Sequence, residues 1–376
     1  MQDRLYLNNG AGVFAKATGA LPQDAFSGSC VTAADLDNDG DLDLFVGARI
    51  QPGQYPLSTG NRVLRNDKDA NGPIRFTDVT SALGGEALFN AGMVTDAVWA
   101  DVDKDGWPDL VLVGDWMPVT IFRNEGGKKF TNSTAQLGLE GSNGWWCKII
   151  PADIDGDGDI DFIAGNMGTN TQFKAGLEEP LVTYAGDFNG DGRLDPIMTW
   201  YIQGKSYPFN SRDELMEQMP GFNKRFLRYA DYAKAATGDV LTAEQQASAK
   251  AFSIYTTQTS LLVNNNGKYE LKPLPQEAQF SAVSGILYKD FDGDGKEDLL
   301  LSGNFYPFRV QQGRCDASIG SLLKGNGKGD FVPVDRKRTG LILQGDVRDM
   351  VSVKGKEKEV VVVSKNGGRV QVISGP

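Results

Sequence analysis

The stretch Ala152-Asp-Ile-Asp-Gly-Asp-Gly-Asp-Ile-Asp-Phe-Ile-Ala-Gly-Asn166 places five aspartates between positions 153 and 161. Carboxylates that crowd together repel one another, and each resists ionisation unless a cation or a set of hydrogen-bond donors lies among them. A loop that holds a hard cation needs several oxygen atoms that converge on one point, with glycine where the chain turns sharply. The pattern D-x-D-x-D-G-x-x-D therefore predicts an all-oxygen metal site.

The nine-residue pattern occurs four times in full and a fifth time with Asn189 at its third position, which ordinary turn composition does not explain. We expect each loop to bind one calcium ion, about five per chain, with a structural role. The expected ligands are the side chains at positions one, three, five and nine and the backbone carbonyl at position seven. By loop, they are Asp35, Asp37, Asp39, Asp41 and Asp43 (loop 1); Asp101, Asp103, Asp105, Trp107 and Asp109 (loop 2); Asp153, Asp155, Asp157, Asp159 and Asp161 (loop 3); Asp187, Asn189, Asp191, Arg193 and Asp195 (loop 4); and Asp290, Asp292, Asp294, Lys296 and Asp298 (loop 5).

The residues around the loops distinguish them from EF-hands. An EF-hand loop needs a bidentate Glu at its twelfth position. The residues at that position here are all apolar: Val46, Leu112, Ala164, Met198 and Leu301. Each loop also lies between two strand-like runs, such as IIPAD before loop 3 and IDFIAG after it. The predicted unit is therefore strand, calcium loop, strand.

A second type of hairpin recurs between these units. It consists of an apolar run, an Asn/Gly turn and a second β-prone run, at 5–18, 63–80, 121–134, 261–274 and 322–334. One hairpin of each type gives four antiparallel strands, the size of a propeller blade. We predict an all-β fold in which residues 1–376 form a single β-propeller domain, with seven blades favoured narrowly over six. Residues 5–18 could close the ring by completing the blade that the C-terminal strands begin.

The long interval between loops 4 and 5 has a sequence pattern typical of short helices. Ser211 with Glu214, and Thr242 with Gln245, have the spacing of capping boxes. We predict two or three short helices, inserted into one blade over residues 204–258.

The loops resemble those of FG-GAP/VCBS repeats, the calcium-bearing propeller blades also found in integrin α-subunits. Three stretches, at 92–130 (GMVTDAVWADVDKDGWPDLVLVGDWMPVTIFRNEGGKKF), 165–173 (GNMGTNTQF) and 211–222 (SRDELMEQMPGF), resemble more narrowly a bacterial surface VCBS group often labelled with the ASPIC/UnbV name. The resemblance implies the propeller fold and a metal role for the matching positions of all five loops. It implies little about function, because one such fold serves in adhesion, glycan recognition and occasionally catalysis.

Charge and composition limit the partners and the compartment. The net charge is −11, and five Ca²⁺ would add +10 and leave −1, so the acidity does not suit nucleic acid. Extracellular calcium modules have dissociation constants of about 10⁻⁴–10⁻³ M, which suits an extracytoplasmic place: secreted, cell-surface or periplasmic. No apolar run is long enough to span a membrane. No secretory signal precedes the first hairpin, so we expect this chain to be a portion of a longer protein. We also expect a monomer. The three cysteines, Cys30, Cys147 and Cys315, are expected to be free thiols.

Catalysis is the competing class of function. The chain has no histidine, which excludes histidine bases, Ser-His-Asp triads and histidine-ligated zinc, but not a polysaccharide-active enzyme such as a lyase. We favour a binding or adhesion module for a glycan or a protein partner, because aromatic faces stack on sugars and anchor proteins. Trp145 and Trp146 are neighbours on one strand and point to opposite faces, so one should be exposed. The candidate ligand-binding residues are Trp145, Trp146, Tyr306, Arg309, Arg314 and Asp316.

Overall fold

Antiparallel β-sheets make up most of the secondary structure, which confirms the predicted all-β class. The computed structural model describes residues 2–68, 72–309, 312–355 and 358–374. The chain begins with a lone hairpin, β1 (Tyr6–Asn8) and β2 (Phe14–Lys16). Sheet 1 contains β3 (Gly28–Ala34), β4 (Asp43–Ala48), β5 (Arg62–Asn66) and β6 (Phe76–Asp78), and helices α1 (Thr80–Leu83) and α2 (Gly85–Phe89) follow it.

The next sheets repeat this order. Sheet 2 contains β7 (Met93–Ala100), β8 (Asp109–Met117), β9 (Thr120–Asn124), β10 (Phe130–Asn132) and the short β11 (Gly144–Trp145), which pairs with β8. Sheet 3 opens with β12 (Lys148–Ala152) and β13 (Asp161–Gly165). In all three sheets an acidic loop joins the first strand to the second, as predicted.

An inserted sheet then interrupts sheet 3. It contains β14 (Leu181–Gly186), β15 (Asp195–Ile202), β16 (Lys205–Pro208) and β17 (Lys250–Ile254), with loop 4 between β14 and β15. Sheet 3 resumes after it with β18 (Ser260–Asn264), which pairs with β13, and β19 (Tyr269–Pro273). The expectation that loop 4 begins an ordinary blade is therefore wrong, because its sheet is inserted between the second and third strands of another.

Short helices lie between β16 and β17, within the predicted range 204–258. They are α3 (Arg212–Gln218), a 3₁₀ turn (Pro220–Lys224), α4 (Tyr229–Tyr232), α5 (Thr237–Val240) and α6 (Ala243–Ser248). They are more numerous than the two or three predicted. Both predicted capping boxes are present, at Ser211 with Glu214 and at Thr242 with Gln245.

The chain ends with two further sheets. After a 3₁₀ turn (Gln276–Gln279), sheet 4 contains β20 (Gly285–Lys289), β21 (Asp298–Ser302), β22 (Ser321–Gly325) and β23 (Phe331–Pro333). Helix α7 (Arg336–Thr339) leads to sheet 5, which contains β24 (Val347–Lys354), β25 (Glu359–Lys365) and β26 (Gln371–Ser374). The sequence between β24 and β25 lacks the nine-residue acidic pattern.

The five sheets pack face to face as the blades of a β-propeller. Their first strands lie side by side in the order β3, β7, β12, β20, β24. Between neighbouring sheets, alternate residues of the second strands meet in a buried core. Phe45 of sheet 1 packs with Leu110 and Leu112 of sheet 2, and Ile163 of sheet 3 packs with Leu299 of sheet 4. The number of seven or six blades stays a prediction.

The N-terminal hairpin does not complete sheet 5. Strand β1 pairs with β2, and residues around it pack on sheet 1, where Leu5, Leu21 and Phe26 contact Val46 and Leu64. The expectation that residues 5–18 complete the C-terminal blade is therefore wrong within the described residues.

All three cysteines are free, as predicted. Burial raises the pKa of the Cys30 thiol to about 11 and that of the Cys147 thiol to about 12, so both stay protonated near neutral pH. Within the described ranges, no helix has the length and apolar character to cross a membrane.

Candidate metal sites and ligand surface

The first carboxylate of each acidic loop holds the turn closed. In loop 1, Asp35 accepts hydrogen bonds from the backbone N–H groups of Asp39 (3.1 Å) and Gly40 (2.9 Å), and the other four loops contain the same contact to the glycine. That sixth-position glycine has φ between 82° and 91° in all five loops. This conformation is open to glycine at little cost, which is why the pattern requires it.

The seventh-position residues, predicted as carbonyl ligands, are fixed through their backbone. The N–H of each donates to the carboxylate of the fifth-position aspartate at 2.8–3.0 Å. These residues are Asp41, Trp107, Asp159, Arg193 and Lys296. Because only the backbone takes part, side chains as different as Trp, Arg and Lys fit the same place in the loop.

The ninth-position aspartate joins the loop to the sheet. It is buried in all five loops. In loop 3, Asp161 Oδ2 accepts from the N–H of Ile154 (2.9 Å), and Oδ1 accepts from the N–H of Asn264 (2.7 Å), at the end of the third strand. Loops 1, 2 and 5 contain both contacts, whereas in loop 4 Asp195 accepts from Phe188. The sequence assigned this residue only a metal role and missed its structural one.

Burial has an electrostatic consequence for these aspartates. It raises the pKa of Asp109 to about 6, against the two backbone hydrogen bonds, from Asn124 and Val102, that lower it. The pKa values of Asp43, Asp161 and Asp195 are raised for the same reason. A divalent cation next to these carboxylates would favour their ionised form.

Three carboxylates converge in four of the loops, with ligand atoms within 4.8 Å of one another. Loops 1 and 5 use positions one, three and five, and loops 2 and 3 use one, three and nine. The groups are Asp35, Asp37 and Asp39; Asp101, Asp103 and Asp109; Asp153, Asp155 and Asp161; and Asp290, Asp292 and Asp294. Hard oxygen ligands in such groups suit Ca²⁺.

Loop 4 has no such group among the described residues. Its third position is Asn189, whose amide nitrogen donates to the carbonyl of Gln218 (2.9 Å) and lies 3.4 Å from Asp191 Oδ2. Its amide oxygen accepts from the N–H of Asp191 at 2.8 Å, as the third-position aspartates do in loops 3 and 5. The amide carries no charge, so loop 4 offers a cation one carboxylate fewer than the other loops.

Basic side chains approach several acidic loops. Lys324 contacts both Asp292 and Asp294 in loop 5, and Lys104 lies 2.6 Å from Asp159 in loop 3. The Lys324 ammonium holds the pKa of Asp294 below its ordinary value. The sequence did not predict these contacts, and a calcium ion in loop 5 would compete with Lys324 for the same oxygens.

Loop 1 shows an unsatisfied oxygen. Asp37 Oδ1 is buried and has no hydrogen-bond partner, and burial, with the neighbouring Asp39, raises the pKa of Asp37. A buried carboxylate oxygen without a donor is unfavourable. The donor set and this orphaned atom fit a divalent cation in loop 1.

An aromatic surface lies at the other end of the sheets. The acidic loops join first strands to second strands, whereas these rings lie at or beyond the far ends of the second strands and in the inserted sheet. The partly exposed rings are Trp145, Trp200, Phe209 and Phe308, and they pack on the buried rings of Trp116 and Phe173. Trp145 lies edge-on between Trp116 and Phe173, with both ring centroids 5.3 Å away. The predicted metal ligands and the predicted ligand-binding tryptophan are therefore at opposite ends of the molecule.

Polar groups that the sequence did not single out border this aromatic surface. The indole N–H of Trp116 donates to the hydroxyl of Tyr55, and Asp115 forms an ion pair of 2.7 Å with Arg49. Burial raises the pKa of Asp115, while Arg49 lowers it. No local motif marks these residues, because they come from two different sheets.

The segment after β21 brings one predicted arginine to the aromatic surface. The Arg309 guanidinium lies 4.8 Å from the ring centroid of Phe209 and 3.4 Å from Glu214 of α3. Arg314 instead stacks on Tyr306 at 4.9 Å, and Asp316 is exposed. The aromatic surface therefore does not include Tyr306, Arg314 or Asp316.

Trp145 and Trp146 point to opposite sides, as predicted. Trp146 is fully buried between sheets 2 and 3, and its indole N–H donates to the carbonyl of Ser142 at 2.9 Å. Its side chain offers no surface to a ligand, so it is a core residue rather than a binding residue. Trp145 is partly exposed and remains a candidate.

The repeated sheets, with an acidic loop between their first two strands, define a β-propeller. The family model described as the FG-GAP-like repeat matches residues 1–46 and 101–164, so these parts of the chain carry such repeats, and the resemblance to FG-GAP repeats is confirmed there. The narrower resemblance to a bacterial surface VCBS group stays a prediction.

The curated relatives match only part of the chain. Cartilage acidic protein 1 is 31% identical in Mus musculus and 30% identical in Homo sapiens, each over 124 residues. That match covers 32% of this chain and 16% of the relatives' length.

Several solved structures show a distant likeness. An Agrocybe aegerita lectin that recognises non-reducing terminal N-acetylglucosamine has 17% identity and a TM-score of 0.31, covering 93% of this chain and 81% of its own. The V. cholerae biofilm matrix protein Bap1 has 12% identity and a TM-score of 0.28, covering 95% and 76%. A Bacillus licheniformis rhamnogalacturonan lyase has 13% identity and a TM-score of 0.33, covering 90% and 55%. TM-scores this low support no inference about the function of this chain.

Proposed function

We propose that this protein is a calcium-stabilised β-propeller that acts outside the cytoplasm as a binding module for a glycan. The observation that carries the calcium part is the convergence of three carboxylates in each of four loops. The observation that supports a ligand is the aromatic surface at the opposite end, bordered by the Asp115–Arg49 ion pair.

Calcium acts structurally in this proposal. In each of the four loops the ligands come from one turn that ties a first strand to a second, and the residues beyond the turn are buried and apolar. A site with a dissociation constant near ~0.2 mM, in ~2 mM calcium, stabilises the folded chain by about 1.4 kcal/mol. The neutral Asn189, in place of a carboxylate, makes loop 4 the weakest of the five proposed sites.

The proposed compartment follows from the affinity of such sites. Sites with dissociation constants of ~10⁻⁴–10⁻³ M fill outside the cell and stay empty at cytosolic calcium concentrations. A secreted, cell-surface or periplasmic place would keep the loops filled.

A glycan suits the aromatic surface better than a flat protein contact does. Sugar rings stack on aromatic faces, and a few polar groups at the border fix their orientation. Here Trp145 provides a partly exposed ring, while Tyr55, Arg49 and Arg309 provide a hydroxyl and two guanidinium groups nearby. The arrangement supports a neutral or acidic sugar rather than a cationic one.

A glycan array in calcium tests the ligand class, with Trp145→Ala as the variant and Trp107→Ala as its control. Trp107 is also partly exposed but lies in loop 2, at the opposite end, where its backbone alone contacts the loop. Binding that Trp145→Ala weakens at least tenfold and Trp107→Ala leaves unchanged would support the site. Binding to no glycan, or equal loss in both variants, would count against it.

The same samples separate binding from cleavage. New ultraviolet absorbance from unsaturated products, on incubation with acidic polysaccharides, would indicate a lyase and replace the proposed function. A protein partner recovered by the wild type and by Trp145→Ala alike would place the interaction elsewhere on the molecule.

A further inference from the structure

One face of sheet 1 lacks the cover that every equivalent face has. In sheets 2, 3 and 4, the first and third residues after the ninth-position aspartate pack on the preceding sheet. In sheet 2 these are Leu110 and Leu112, which contact Phe45. In sheet 1 they are Leu44, which is half-buried, and Val46, which is buried. Among the described residues, segments near the N-terminal hairpin lie against them instead of a preceding sheet.

The first strand of sheet 1 shows the missing cover most clearly. Val31 pairs with Val46, and it is 64% exposed. The residues at the same register in sheets 2, 3 and 4 are Ala97, Ile149 and Ile286, which are 5%, 0% and 3% exposed. The preceding sheet buries these three residues, so Val31 lies where a preceding sheet would pack.

The hairpin β1–β2 has the form of the outer half of a blade. Its register, Asn8 opposite Phe14, is that of the outer hairpins in sheets 1 to 4. In those sheets the third strand also pairs with the second strand, whereas among the described residues β1 pairs with β2 alone. Phe14 is 62% exposed, while its four counterparts, Phe76, Phe130, Tyr269 and Phe331, are at most 9% exposed.

The free edge of β1 also specifies a chemical partner. The residues equivalent to Asn8 in sheets 1 to 4 are Asn66, Asn124, Asn264 and Gly325. Each donates its backbone N–H to the ninth-position aspartate of its own acidic loop. The edge of β1 therefore matches a strand that begins with such an aspartate.

A groove of about 970 Å³ lies on this face of sheet 1, beside residues 2–5, which lead into the hairpin. Its lining includes Leu5, Phe26, Val31, Leu44 and Leu64. Sheet 5, the last of the five packed sheets, also has an uncovered face. Its side away from sheet 4 is apolar and exposed. The exposed residues of that face include Val351, Val353 and Val372.

We propose that this groove binds a hairpin of the strand–acidic loop–strand type, whose second strand pairs with β1 and whose apolar side covers Val31 and Leu44. The groove continues an interface that the molecule already uses four times, between sheets 1 and 2, 2 and 3, 3 and 4, and 4 and 5. Main-chain pairing with β1 supplies affinity, and the apolar pockets supply register. This inference does not depend on the proposed glycan site.

A cysteine-protection assay tests the groove directly. The probe is a synthetic peptide of residues 282–303, which carries β20, loop 5 and β21. It is added to the Val31→Cys variant in about 2 mM calcium, the concentration assumed for the calcium sites above. Maleimide labelling of that cysteine, corrected for the unsubstituted chain, is expected to slow at least tenfold when the peptide is present. The control site is Val332→Cys on β23, 66% exposed and outside the groove, where the rate should not change.

A second peptide checks the face that docks. In sheet 4, Leu287 and Leu300 are paired and point toward the following sheet, so the same side of the probe would cover sheet 1. The peptide with Leu287→Lys and Leu300→Lys should give no protection. Equal protection of the cysteine by both peptides would overturn the proposal. So would the absence of protection by the unsubstituted peptide at concentrations up to about 1 mM, which corresponds to very weak binding. A second copy of the chain could also occupy the groove. If labelling of the Val31→Cys chain slows as the concentration of that chain rises without peptide, and sedimentation shows a dimer, the proposal is overturned.

Discussion

Replacing Asp161 by Asn should destabilise the protein even when no calcium is present. The Asp161 carboxylate is buried and accepts two backbone N–H groups, from Ile154 at 2.9 Å and from Asn264 at 2.7 Å. An Asn side chain offers one oxygen and one NH₂ group, so one N–H keeps its acceptor and the other faces a donor. A hydrogen bond to a charged group contributes ~1.5–3 kcal/mol, and a buried unsatisfied group costs a similar amount, so the expected loss is about 2–4 kcal/mol.

Urea unfolding in excess chelator, followed by circular dichroism, measures this effect apart from metal binding. The matched control is Asp157→Asn in the same loop, because Asp157 is exposed and accepts only from the N–H groups near it in the turn. In chelator the control should change stability by less than ~1 kcal/mol. If Asp161→Asn also stays within that range in chelator, the aspartate is only a metal ligand and the structural role assigned to it is wrong.

Four consecutive residues provide the remaining predictions. Trp146→Ala should cost about 3–5 kcal/mol in urea unfolding because its ring is fully buried, while Trp145→Ala should cost less than half of that. Burial raises the pKa of the Cys147 thiol to about 12, so it should react with iodoacetamide much more slowly in the folded than in the unfolded protein. Because the unfolded thiol ionises near 9.0, stability should fall as pH rises above 9 and continue to fall toward the folded pKa. Lys148 lies 3.5 Å from the half-buried Asp96 and 3.3 Å from Asp349 of sheet 5. Lys148→Met should cost about 2 kcal/mol, because Asp96 loses a charged partner and keeps the backbone N–H of Ile149, and an equal stability of the variant would contradict this.

The features that sequence reasoning predicted well are local in the chain. Each acidic loop is closed by contacts within nine residues, such as Asp35 to Gly40, so its pattern is complete in one short window. The capping boxes at Ser211 and Thr242 span four residues each and are also present as predicted. The hairpins have the same advantage, because a turn and two alternating runs specify them.

The features that were missed depend on contacts between distant segments. The partner of β13 is β18, and the whole inserted sheet lies between them in the chain, so spacing alone suggested an extra blade. Asp115 and Tyr55 come together from two sheets, through Trp116, and neither lies in a motif. Trp145 and Trp146 have the same residue type, and only the packing of sheets 2 and 3 decides that Trp146 is core.

The second role of the ninth aspartate was missed for a related reason. Its partner N–H groups belong to the second loop position and to the third strand, which for Asp161 is more than a hundred residues away at Asn264. An aspartate that recurs at the ninth position of every loop suggests a metal ligand. A buried aspartate that accepts backbone hydrogen bonds in every blade would recur at the same spacing, so the sequence does not distinguish the two roles.

Isothermal titration of calcium into chelator-stripped protein, with melting curves in the same buffers, tests the central claim most directly. The account predicts at least four equivalents, from loops 1, 2, 3 and 5, a weaker fifth from loop 4, and a clear rise in melting temperature with calcium. Asp157→Ala should remove one equivalent and lower the melting temperature in calcium. Absence of calcium binding, or binding with no change in melting temperature, would contradict the account and leave the acidic loops as ordinary turns.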